Sequence, residues 1–200
     1  LIAVVCLLAL SFITSCVSNE TADSDKVAQS EIYQTYSVSY SMTDGKMTLF
    51  ASFRFGGNAG TTLRLVKPST VTWNGKEMQA ENNIFQGTYY ELVESGDPSV
   101  NHVFVFTDTL NKVYTNQIQL LSAEPLVSEG SHSISKGLEI RWIGPALREG
   151  ETISCNIKDS TTTHSFTTTM KGQESFVVTP DQLKTVKKGL VNLYFKRTYS

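Results

Sequence analysis

Apolar residues recur at every second position along most of this chain, and that spacing restricts what it can fold into more than any other feature. Successive side chains of a β-strand point to opposite faces, so a period of two builds one apolar face and one wetted face. Residues 46–55 show it clearly: Met47, Leu49, Ala51, Phe53 and Phe55 alternate with mostly polar neighbours. Asp44-Gly45 ahead of them is a strong hairpin dipeptide, which makes 33–42 the partner strand. Further strands are predicted at 61–66, 70–73, 76–79, 84–92, 101–108 and 112–121. Asn74-Gly75 would turn the middle pair in a type I′ geometry, which needs positive φ at both central residues.

A second unit is predicted after Glu124-Pro125, with strands near 138–143, 151–158, 163–170, 174–179 and 190–199. Leu138, Ile140 and Trp142 share one face, Ile153, Cys155 and Ile157 another, and Val191, Leu193 and Phe195 a third. Short strands at regular spacing mean a sandwich or barrel. The one helical turn expected is 180–186, where Thr179 can cap, Pro180 sits at the first helical position and Gln182 completes a capping box. The expected fold class is therefore all-β, with two antiparallel sandwich domains at 31–121 and 122–200. The arrangement resembles the tandem immunoglobulin-like sandwiches common in bacterial envelope lipoproteins, and over roughly 122–199 the pattern, ending in Gly189 and then Leu190 to Arg197, resembles the closing strands of such domains. The Cys, Trp, Cys signature of antibody domains is missing.

The first thirteen residues, LIAVVCLLALSFI, form an uncharged apolar run too short to span a bilayer as a stable helix, and they read as the core of a signal peptide. Ile13, Thr14, Ser15 and Cys16 then give a branched apolar residue, two small residues and a cysteine. This resembles the lipobox of bacterial lipoproteins. The resemblance implies a signal peptide at 1–15, an acylated Cys16 and attachment to a membrane through it. Residues 17–30, VSNETADSDKVAQS, are polar and lack aromatics, so 16–30 is predicted to be a lipidated cysteine followed by a flexible tether. Position 17 is Val rather than the Asp that, in such lipoproteins, retains the protein at the inner membrane, so the resemblance favours the outer membrane.

No charged residue precedes Glu20, and the 17 basic and 19 acidic residues leave a formal charge of −2. Nucleic acid is not an expected partner, because phosphate binding needs a clustered basic surface. Cys155 alternates with Ile153 and Ile157 and reads as a small buried hydrophobe. His102, His132 and His164 lie on separate elements without metal-motif spacing, so no metal and no cofactor is predicted. Gly56, Gly57 and Gly60 in RFGGNAGTT read as a strand connection rather than a phosphate cradle, since no Lys-Ser/Thr pair follows. Asp108-Thr109-Leu110 and Asp159-Ser160-Thr161 resemble a short acceptor motif for periplasmic O-glycosylation, and plain turns explain both Asp residues equally well. No nucleophile elbow or zinc-protease helix is present, so no enzyme is expected.

Aromatics are the remaining candidates, because sugar-binding surfaces stack rings on exposed Trp or Tyr. Tyr89 and Tyr90 must point to opposite faces, and HVFVF at 102–106 is apolar on both sides. A single strand aromatic is more often core than surface. Trp73, Tyr90, Phe104 and Tyr194 are the candidate ligand-binding residues. The chain thus reads as an envelope lipoprotein that binds or scaffolds, with a carbohydrate or an envelope protein as partner. A fimbria-like subunit assembled by strand exchange is the alternative; its precursor would be cut after an Arg ahead of a removable first strand, and the first Arg here is Arg54, inside a predicted strand. An envelope hydrolase stands third.

Overall fold

The computed structural model describes residues 20–126 and 130–200. The expected signal peptide and Cys16 lie outside the described residues. The fold is all-β, 52% strand and 7% helix. The strands are β1 Thr21–Asp23, β2 Ile32–Ser41, β3 Lys46–Phe55, β4 Thr61–Arg64, β5 Thr70–Trp73, β6 Lys76–Glu77, β7 Ala80–Asn83, β8 Gly87–Ser95, β9 His102–Thr107 and β10 Val113–Ile118. They continue with β11 Glu124–Leu126, β12 Leu138–Ile143, β13 Glu151–Lys158, β14 Thr163–Thr168, β15 Ser175–Val178 and β16 Asn192–Tyr199, with the helical turn α1 at Pro180–Leu183. Asn74 and Gly75 both have positive φ, as the type I′ geometry requires, while in the first hairpin only Gly45 of the Asp44-Gly45 pair does, within the longer loop 42–45. The Thr179 cap and the reciprocal Gln182 bond are both formed.

One nine-stranded sheet runs β1-β4-β3-β2-β16-β13-β14, with β8 also paired to β3 and β7 to β8. A four-stranded sheet, β10-β9-β5-β6, faces its first half, and a three-stranded sheet, β11-β12-β15, faces its second half. The first core gathers Val38, Leu49 and Phe53 from the large sheet against Val71, Phe104 and Phe106. The second gathers Ile153, Cys155 and Phe195 against Ile140, Trp142 and Val178. The two expected sandwiches therefore share a sheet. It crosses the expected boundary at 121/122 through β2 and β16, whose register runs from Ser41 opposite Lys196 to Val38 opposite Tyr199.

Residues 20–30, expected as tether, are instead part of the fold. Thr21, Ala22 and Asp23 pair in parallel with Thr62, Leu63 and Arg64. Arg64 makes an ion pair with Asp23, and buried Ser24 accepts a hydrogen bond from the Val66 amide. The polar composition that suggested disorder serves here to satisfy an edge: backbone pairing needs no apolar side chains, and the hydroxyls bond neighbouring amides. The strand predicted at 84–92 is two elements, because residues 84–86 form the turn between β7 and β8.

Candidate functional site

The sequence-predicted aromatics are dispersed by the fold. Tyr90 is 4% exposed, with its ring edge-on to Phe53 at 5.6 Å and its hydroxyl accepting from the Leu65 amide at 2.7 Å. Phe104 is wholly buried, 5.0 Å from the Tyr36 ring. Both are corrected from surface to core, for one reason: β8 and β9 present them to the side where the two sheets face, leaving Tyr89 and the valines of HVFVF on the outer sides. Trp73 is half-buried and stacks 5.9 Å from His102, donating from Nε1 to His102 Nδ1 at 3.2 Å. His102 Nε2 lies 3.1 Å from the Pro98 carbonyl, so the tautomer that serves both bonds is neutral, protonated on Nε2. Burial lowers its pKa, which favours that neutral form. Trp73 is thus fixed by structure rather than offered to a ligand.

Tyr194 alone of the four is exposed, at 38%. It stands on the outer face of the large sheet, since Leu193 and Phe195 on either side pack into the second core. Register places Asn156 beside it and Ser165 beyond. The next row reads Ser41, Lys196, Ser154, Thr167, and the one after it Ser39, Thr198, Thr152. Asn156 Oδ1 is buried and has no hydrogen-bond partner among the described residues. The result is a flat field of hydroxyls and one amide, with a ring and an ammonium standing out of it.

At the end of the β13–β14 hairpin, Asp159, His164 and Thr185 come together. Asp159 Oδ1 accepts from the amides of Thr161 at 2.7 Å and Thr162 at 2.9 Å; Oδ2 accepts from the Lys187 amide at 2.9 Å and meets His164 Nε2 at 2.9 Å. The Lys187 amide, followed by those of Thr161 and Thr162 and by His164, holds the Asp159 carboxyl well below the ordinary carboxylate range. Thr185 Oγ1 lies 3.3 Å from His164 Nδ1 and donates to the Gln182 carbonyl at 3.1 Å. This resembles a hydroxyl–imidazole–carboxylate relay in outline, but the two amides that follow Thr185 are committed, Val186 to Leu183 O and Lys187 to Asp159. A relay of that type needs free amides aimed at an oxyanion. The cluster works as a clamp that pins the segment after α1 onto the hairpin. Asp159→Ala is expected to speed amide exchange at Lys187, Thr161 and Thr162 while leaving the β2–β3 amides unchanged, measured by hydrogen exchange. Asp108 plays the same part in the β9–β10 turn, accepting from Leu110 and Lys112 amides.

A third cluster was not foreseen from sequence. Arg197 and the Glu151 side chain are both fully buried and meet at 2.5 Å. Arg197 also donates to the carbonyls of Pro145 at 3.1 Å and Ala146 at 3.2 Å, while Arg148 binds Glu151 through its amide and its guanidinium, each at 2.8 Å. Arg148 reaches the Gln119 carbonyl as well, tying the connection between the two halves to the second core. A signal was present: Arg197 is in phase with Leu193 and Phe195, and Glu151 with Ile153, Cys155 and Ile157. Two opposite charges, each continuing an apolar row, imply a buried pair.

Cys155 is 1% exposed, and burial pushes its thiol up to about 11. It lines an apolar cavity of about 180 Å³ with Met42, Leu193 and Phe195, an environment for an inert thiol. Among the described residues no group of three or more His, Cys, Asp or Glu is placed to hold a metal ion, and no helix is long and apolar enough to cross a membrane.

No family model, curated protein or solved structure matches this chain. Its functional reading therefore rests on its own residues.

Proposed function

We propose that this chain is a membrane-anchored, non-enzymatic lipoprotein of the bacterial outer membrane, acylated at Cys16, which presents the outer face of its large sheet to a carbohydrate or envelope-protein partner. In this reading the two facing-sheet units are immunoglobulin-like. The anchor is supported by Ile13-Thr14-Ser15-Cys16 behind an apolar run. The observation that carries the binding reading is the field around Tyr194: an exposed ring flanked by Asn156, Ser165, Ser154 and Lys196 combines a stacking surface with donors and acceptors, the pairing that sugar hydroxyls and polar peptides require.

Metabolic labelling with a fatty-acid analogue is expected to mark the protein and to leave Cys16→Ser unmarked; an unmarked native chain ends the anchor reading. The acylated chain in detergent micelles, applied to a glycan array, is expected to retain a subset of glycans. Tyr194→Ala is expected to weaken that retention about tenfold, the scale of one central contact residue. Retention of no glycan, together with recovery of envelope proteins whose binding Tyr194→Ala abolishes, assigns the face to a protein partner. Retention that Tyr194→Ala leaves unchanged removes the face from the site.

A further inference from the structure

Ile84 and Phe85 are 74% and 82% exposed, yet they stand on a turn that is held firmly. Asn83 Oδ1 accepts from the amides of Phe85 at 2.9 Å and Gln86 at 2.8 Å, and Arg54 donates to the Gln86 carbonyl at 3.4 Å and to the Gly60 carbonyl at 2.9 Å. Gly87, at φ +69°, closes so tightly that an added Cβ would sit 2.4 Å from Thr62 Oγ1. Two large apolar side chains fixed in water by such a scaffold cost hydration free energy without contributing to either core.

Their position supplies a reason. Thr62 donates from both its amide and its hydroxyl to the Glu20 carbonyl, and its hydroxyl accepts from the Thr88 amide at 3.1 Å. Thr21 Oγ1 lies 2.9 Å from Thr88 Oγ1. Glu20, where the described chain begins, is thus bonded to Thr62 of β4, and Thr62 and Thr21 in turn bond Thr88 of β8, three residues after Phe85. Three residues separate Cys16 from Glu20, and the four steps between them reach at most about 14 Å in a fully extended chain. A third exposed apolar residue, Leu110 at 76%, belongs to the β9–β10 turn of the facing sheet. That turn opens toward the same end: Phe106 packs 4.5 Å from Phe53, two residues before the end of β3, and the Thr109 amide bonds Gln29.

We infer that the Ile84-Phe85 turn is a second membrane contact, inserting into the lipid surface to which Cys16 is attached. The inference rests on the anchor reading above and specifies its geometry. A tether this short keeps the β1–β4 end of the body against the bilayer, and the turn occupies that end. Attachment by acyl chains leaves a body free to pivot, whereas an apolar turn beside the anchor adds a second point and sets an orientation. The Tyr194 field lies across β16, β13 and β14, at the far side of the large sheet from β1, so this orientation holds it away from the lipid. The charges on the surrounding elements are mixed, with Glu81 on β7 leading into the turn and Arg54 bonded to its Gln86 carbonyl, so the contact is apolar rather than an attraction to anionic headgroups.

The test uses the acylated chain reconstituted in phosphatidylethanolamine–phosphatidylglycerol vesicles containing a lipid with a nitroxide on its acyl chain. Ile84→Cys carries an environment-sensitive fluorophore, and Leu190→Cys, 92% exposed in the second half, carries it as the reference. Cys155 is buried and stays unlabelled. Quenching at position 84 is expected to exceed that at 190 several-fold and to persist in high salt; Phe85→Cys repeats the reading should label at 84 disturb the turn. Intact mass on the same sample reports acylation. Acylated Cys16 with equal quenching at 84, 85 and 190 overturns this inference and leaves the anchor standing. An unacylated Cys16 removes the anchor reading and this inference with it.

Discussion

Glu151→Ala is expected to cost about 3–5 kcal/mol of folding stability, read as a lower urea midpoint with unchanged slope, because it leaves the Arg197 guanidinium buried and uncompensated. Arg197 has no exposed surface, and its remaining partners are main-chain carbonyls. The double change Glu151→Leu with Arg197→Met is expected to recover most of the loss, since removing both charges also removes both desolvation penalties. A double variant as unstable as the single one would mean that the pair itself, not its balance, holds the junction. Acid should act through the same site. Burial alone would raise the Glu151 pKa, but hydrogen bonds from Arg148 and Arg197 outweigh it and hold the group below its ordinary 4.5. The folded chain then binds this proton less readily than the unfolded chain. Its stabilisation is fully present above about pH 4.5 and is lost as pH falls through the lowered folded value. Asp159, lowered likewise, adds to the same acid loss. Glu151→Gln should flatten the dependence in that window.

Phe53→Ala is expected to cost about 3–5 kcal/mol as well, by a different route: lost transfer free energy and a cavity that rigid neighbours cannot fill. Phe53 is wholly buried and lies 4.5 Å from Phe106, 5.6 Å from Tyr90 and 6.1 Å from Tyr36. Tyr194→Ala, on the outer face, should stay within about 0.5 kcal/mol of the native chain. Because β2 and β16 join the cores through one sheet, single-tryptophan variants retaining Trp73 or Trp142 should report the Phe53→Ala shift together. A shift at Trp73 alone would show that the cores unfold separately.

Strand positions were legible because alternation is a local signal, and Asp44-Gly45 and Asn74-Gly75 fixed two turns by backbone chemistry that few residues tolerate. Which face of a strand is covered was not legible. Tyr89 and Tyr90 must oppose each other, but only the position of the facing sheet says that Tyr90 goes inside. Phe104 failed for the same reason, in a strand apolar on both sides. The strand at Thr21–Asp23 carries no pattern, since its bonds are made by backbone and hydroxyls. Ile84 and Phe85 extended an apparent strand pattern and misled, because apolar residues on a turn look like strand residues until their exposure is known. Tyr194 was legible: a tyrosine between Leu193 and Phe195, out of phase with their row, has to face outward.

The pairing of Val38 with Tyr199 also has a consequence for biogenesis. A ribosome delivers β2 long before β16, so until β16 emerges β2 presents an open ladder of amides and carbonyls on one side. Non-local closure of this kind is slow, and an unsealed edge invites pairing between neighbouring chains. Until β16 arrives that margin is open to neighbouring copies, and deleting β16 would leave it permanently sticky rather than give a smaller working protein.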